Sequence, residues 1–136
     1  MPAPARERPA PRSASTTGAR AFALDAVLVI AFAAIGRASH ESGVLGEGGL
    51  GLLTTAWPFV VALAVGWLAA VAWRAPSAPL RTGVPVWAVT VVGGMLLRAV
   101  SGQGTAVPFI VVATLTLLAL LVGWRLVAAG VRRSRP

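Results

Sequence analysis

The 136-residue chain has no cysteine and no lysine, a single histidine, and only four acidic residues. Without cysteine there is no disulfide, thiolate nucleophile, iron–sulfur cluster or Cys-ligated metal. One histidine, His40, excludes paired-histidine haem ligation within the chain. Glu7, Asp25, Glu41 and Glu47 are too few to build an all-protein metal cage. No Walker loop, dinucleotide glycine fingerprint, His-Glu-x-x-His or Gly-x-Ser-x-Gly occurs. Little remains for covalent or acid–base catalysis, so the chain reads as a non-enzyme without cofactors or metal.

What the chain does have is apolar length. Hydrophobic residues make up 57% and charged residues 12%, outside the range of a soluble domain. A bilayer core about 30 Å thick takes about 20 apolar residues per helix. Four stretches meet that need: 22–39, 50–73, 83–100 and 106–129. They predict an all-α, four-helix transmembrane bundle over 21–129, between a disordered basic leader (1–20) and a basic tail (130–136). The net charge of +8 sits at the flanks of the spans rather than in one patch, which argues against nucleic acid as a partner. Exclusive use of Arg, with heavy Ala, Val, Leu and Gly, fits a GC-rich coding bias.

The arginines also predict an orientation. Arg6, Arg8, Arg12, Arg20, Arg74, Arg81, Arg125, Arg132, Arg133 and Arg135 fall on one side of the implied membrane, Arg37 and Arg98 on the other. The positive-inside rule then puts both termini and the 74–82 link in the cytoplasm, with the lipid bilayer as the first partner. Trp73, Trp87 and Trp124 lie near the inner boundary and Trp57 near the outer one; Trp67 is deeper and reads as a packing residue. A cleaved signal peptide ending near Ala31-Phe32-Ala33 is the rival reading of the first span, opposed by Asp25 and by the lack of a polar c-region.

The halves resemble each other. Residues 55–61 read TAWPFVV and 105–111 read TAVPFIV, while Arg37 and Arg98 end the first and third spans. This predicts two tandem hairpins in parallel pseudo-repeat, each returning helix opened by Thr-Ala-x-Pro-Phe. A Pro in the first helical turn loses no needed hydrogen bond, and the Thr before it can cap free N–H groups.

Two constellations stand out. Arg37 and Arg98 lie about 22–26 Å above the inner boundary at 1.5 Å per residue. With Thr55, Thr105 and two helix N-termini they form a candidate site for a phosphate, carboxylate or lipid headgroup. The simpler alternative is that each Arg snorkels to headgroups or pairs with Glu41 or Glu47. Asp25, the one acid within a span, matches the depth of Arg125 and is a candidate structural ion pair with it; a proton relay is the functional alternative. His40 reads as a solvated loop histidine, with pH sensing as the alternative. Thr90, Thr114 and Thr116 are expected to bond to helix backbone. Rows of small residues (Ala62–Gly66–Ala70, Gly93-Gly94, Ala119–Gly123) offer close helix approach.

Taken together, Asp25, Phe32, Gly36-Arg37-Ala38-Ser39-His40, Thr55-Ala56-Trp57-Pro58-Phe59, Gly66-Trp67, Thr90, Gly94-Met95-Leu96-Leu97-Arg98, Pro108-Phe109 and Gly123-Trp124-Arg125 resemble an uncharacterised prokaryotic integral membrane family, domain of unknown function 3054. The likeness covers about residues 22–127. It implies a small four-span protein and brings no functional residues with it. The first functional expectation is a non-catalytic binding or accessory membrane component, as a homo-oligomer or with an unidentified membrane partner. The second is a small transporter or channel for an anion or proton using the Arg pair. An enzyme acting on lipid-linked substrates at the outer face ranks third.

Overall fold

The computed structural model describes Met1 and residues 14–40 and 43–136. The helices are α1 (Ala14–Ala38), α2 (Gly51–Ala69), α3 (Val84–Val100), α4 (Val107–Leu121) and α5 (Gly123–Ser134), and the described residues contain no strand. α5 continues the line of α4 after an irregularity at Val122, and a wide turn at Pro79–Gly83 leads into α3. Four segments are therefore long and apolar enough to cross a bilayer: Thr16–Ala38, Gly51–Ala69, Pro79–Val100 and Val107–Ser134.

These limits differ from the sequence reading in instructive ways. α1 starts at Ala14, inside the segment read as leader, because the Ala/Thr run before Phe22 holds no helix breaker apart from Gly18. Residues 2–13 of that leader, with Arg6, Glu7, Arg8 and Arg12, lie outside the described residues. The basic tail is likewise helical as far as Ser134. α2 stops at Ala69 rather than running to 73, since Val71 takes a left-handed conformation (φ 47°) that a helix cannot contain. A β-branched residue there is costly. A 3₁₀ turn, Ala72–Arg74, follows it, with Ala72 fully buried.

Sequential spans pack antiparallel, α1 on α2, α2 on α3 and α3 on α4, and α4 closes the ring on α1. The contacts along α1 and α2 give the register: Gly18 meets Trp73, Asp25 meets Trp67, Phe32 meets Phe59, and Arg37 meets Thr55. The tightest pair is α2 with α3, where glycine replaces a side chain at each crossing. A Cβ on Gly66 would lie 3.2 Å from the Val86 carbonyl, and one on Gly94 would lie 2.4 Å from the Phe59 ring. In the Ala119–Gly123 row, by contrast, Ala119 is exposed and no atom lies within 4 Å of a Cβ built on Gly123.

The bundle is layered along its axis. The end carrying the termini (proximal) holds a buried polar network. The middle is apolar, with Val29, Leu63, Val86 and Leu117 wholly inaccessible. Phe32, Phe59 and Phe109 pack together above it at centroid separations of 5.4–6.4 Å. Beyond them, at the distal end, lie Arg37 and Arg98. The outer surface is apolar: Val27, Ile35, Val65, Leu96, Val111 and Leu115 are all exposed. At most 39% of any span's most apolar window is buried, so the outward faces stay as hydrophobic as the core.

Candidate functional site

At the proximal end, α1 places Asp25 one face away from the start of α5, and both Asp25 and Arg125 are fully inaccessible. The guanidinium grips the carboxylate bidentately, Arg125 Nη2 to Asp25 Oδ2 at 2.6 Å and Nη1 to Oδ1 at 2.9 Å. Two indoles complete the shell: Trp67 Nε1 donates to Oδ2 at 2.9 Å and Trp124 Nε1 donates to Oδ1 at 2.8 Å. Asp25 thus accepts four hydrogen bonds, the full capacity of an ionised carboxylate. Arg125 also donates from Nε to the Pro76 carbonyl at 2.9 Å and from Nη1 to the Leu121 carbonyl at 2.6 Å. Its Cζ lies 4.5 Å from the Trp124 ring centroid. No buried side-chain polar atom among the described residues lacks a partner. Charges removed from water are tolerable only when compensated this fully.

At the distal end a cavity of about 570 Å³ opens between α1 and α4. Arg37, Ser39, His40, Thr55 and Arg98 supply its polar lining. Phe32, Ala33 and Gly36 of α1 face Pro108, Phe109 and Val112 of α4 across its apolar part. Both guanidiniums are held by neutral groups. Arg37 donates from Nε to the Val44 carbonyl at 2.8 Å and from Nη1 to Thr55 Oγ1 at 3.1 Å. Gly46 and Gly51 let it fit, because a Cβ on either would strike Nη2. Arg98 donates from Nη1 to Gln103 Oε1 at 2.7 Å and from Nε and Nη2 to the Gly104 carbonyl at 3.2 and 2.8 Å. Its Cζ stands 4.4 Å from the Phe109 centroid. Among the described side chains the only salt bridge is that of Asp25 with Arg125.

The structure brings Arg37, Arg98 and Thr55 to one cavity, whereas Thr105 does not line it. The capping roles expected of the threonines do not hold. α2 begins at Gly51, a turn earlier than its Thr-Ala-Trp-Pro signature suggests, which puts Pro58 eighth in the helix and Thr55 inside it. Thr55 accepts from Arg37 instead of capping. α4 does begin beside the cavity, with Pro108 in its first turn, but its cap, Ala106, makes no side-chain bond. The N-terminus of α4 therefore lies at the cavity, while that of α2, at Gly51, packs against the Arg37 guanidinium without lining the cavity. Glu41 lies outside the described residues, as does the side chain of Glu47.

Trp67 is more than a packing residue, since it donates to Asp25, and Trp124 does so too. Sequence reasoning missed both indoles and the Pro76 carbonyl as parts of the network. The available signal was a Trp one helix turn from the depth of the only buried acid. Thr90 and Thr114 bond to their own helix, at Val86 and Ile110. Trp87 ties α3 to α4 through the Thr114 carbonyl at 3.0 Å.

The fold and these two constellations define a polytopic helical bundle of bilayer-spanning dimensions, locked by a buried ion pair at one end and open at a dicationic cavity at the other. The chain belongs to the family described as Protein of unknown function (DUF3054), which matches residues 22–128. Both constellations fall inside the matched region. No curated protein and no solved structure matches the chain.

Proposed function

We propose that this is an integral membrane protein of a prokaryotic plasma membrane, with its termini and the 74–82 link in the cytoplasm. In this reading it acts without catalysis or cofactor, as a binding or accessory component whose outer cavity takes an anionic group on Arg37 and Arg98. The observation that carries it is the convergence of both guanidiniums on one cavity, with no carboxylate among its described lining residues. The described bonds, two from Arg37 and three from Arg98, engage fewer than the five N–H groups of each guanidinium. Their positions are fixed in advance by Thr55, Gly104, Gln103 and Phe109, which lowers the ordering cost of binding. The bilayer is the first partner; a second copy or another membrane protein is the next, and nucleic acid is not one.

Binding is favoured over transport by what lies beneath the cavity. Phe32 and Phe109 line its apolar part with Phe59 packed against them, and the layer below is Val29, Leu63, Val86 and Leu117. Asp25 is a poor proton carrier, because a proton would displace one of four donors already in place.

The test is thermal unfolding of the full chain in neutral detergent, with inorganic phosphate or phosphatidylglycerol added. A ligand at one hundred times its Kd should stabilise by about 2.7 kcal/mol. The reading expects that gain from at least one anionic probe and its loss in the Arg37→Gln/Arg98→Gln double variant. No gain from either probe, or an equal gain in the variant, would sink it. Anion or proton flux into proteoliposomes that depends on the same arginines would favour a transporter instead.

A further inference from the structure

We infer that the occupant of the distal cavity is an anionic phospholipid, its phosphate held by Arg37 and Arg98 and one acyl chain lying in the slot between α1 and α4. This rests on the anion-binding reading above and names the ligand. The first argument is the order of polarity along the cavity. Arg37 lies in the last turn of α1 and His40 just beyond it, whereas Phe32 lies about 7.5 Å deeper than Arg37 at 1.5 Å per residue. On the facing helix Ala106 is at the mouth and Val112 about 9 Å below it. Cations cap an apolar shaft, the mirror image of a phospholipid entering head last.

The second argument is size. Water occupies about 30 Å³ per molecule in the liquid, so a lone phosphate would leave most of the 570 Å³ facing hydrocarbon walls. The third is access. Gly36, Pro108 and Val112 are exposed on the flank of the bundle, in the same band as Ile35, Val111 and Leu115. The slot therefore opens sideways, where lipid chains would lie, and basic pockets between spanning helices are suited to anionic headgroups. Gly36 keeps it open: a Cβ built there meets nothing within 4 Å, unlike the glycines that draw α2 and α3 together.

That vacancy supplies the decisive variant. Gly36→Leu fills the slot while both arginines are kept, and replacing helical glycine raises helix propensity. Val112→Phe fills it from the α4 side should Gly36→Leu not fold. Full chain in neutral detergent would be titrated with phosphatidylglycerol, phosphatidylcholine and inorganic phosphate, with bound lipid counted by native mass spectrometry. The expected result is phosphatidylglycerol preferred over phosphatidylcholine by about tenfold or more, and weakened by at least about tenfold in the slot-filling variant. Phosphatidylglycerol binding unchanged by the filled slot would overturn the inference. So would phosphate binding that matches phosphatidylglycerol and ignores the filled slot, though the anion site itself would then stand. Silence from every probe would remove both.

Discussion

Arg125 and Arg98 bring the same guanidinium into the bundle and meet opposite surroundings. Arg125 is sealed from solvent on a carboxylate, two carbonyls and an indole face. Arg98 rests on a phenyl face and neutral oxygens at the rim of a cavity. The first arrangement spends every charge on structure; the second holds one in reserve. Removing one member of a buried pair strands the other, at about 3–5 kcal/mol. Asp25→Asn and Arg125→Gln should each destabilise the protein on that scale in detergent unfolding, and the double variant should fall well short of their sum. Strict additivity would show that the two groups do not act as a unit. Trp67→Phe removes one hydrogen bond to a charged acceptor and should cost about 1.5–3 kcal/mol. A variant with wild-type stability would mean that the indole contributes packing alone.

Between elements, glycine placement decides which helices close on one another. Gly66, Gly93 and Gly94 bring α3 against α2, while Gly36 and Gly123 face open space. Identical residues thus make a seam in one place and a slot in another. Gly94→Val would push a branched side chain into the Phe59 ring and should destabilise by about 1–3 kcal/mol through overpacking. Gly123→Ala should instead be neutral or stabilising by up to about 1 kcal/mol, the helix-propensity gain alone. Denaturation of the two variants side by side checks the contrast; equal effects would refute it. The small-residue rows were visible in the sequence, but which of them form contacts was not. Ala62–Gly66 and Ala119–Gly123 have the same spacing, and only the fold gives the first a neighbour. The Thr-Ala-x-Pro-Phe signatures misled for a related reason. The same letters begin α4 but lie a full turn inside α2, because the glycine-rich segment before Thr55 is drawn in around Arg37 and the helix starts early.

For the whole molecule, the layered axis and apolar exterior agree with four crossings of a bilayer, and the proposed orientation is open to direct test. Reporter fusions at either terminus or within the 74–82 link should report the cytoplasm, and fusions in the segments after Ser39 and after Ser101 the exterior. A reporter reading outside at either terminus would reverse the orientation and move the arginine cavity to the inner leaflet.

The chain alone determined four helices and their approximate extents, because spanning hydrocarbon requires only sufficient apolar length, a local property that survives any arrangement of neighbours. The rest depends on which faces meet. Only the tertiary structure gave Trp67 and Trp124 to Asp25, set Arg37 and Arg98 on one cavity, left Thr105 out of it, and made Gly36 an opening instead of a seam. Those outcomes turn on helix rotation and separation of a few ångströms, which apolar composition does not encode when α1 to α4 are apolar on nearly every face.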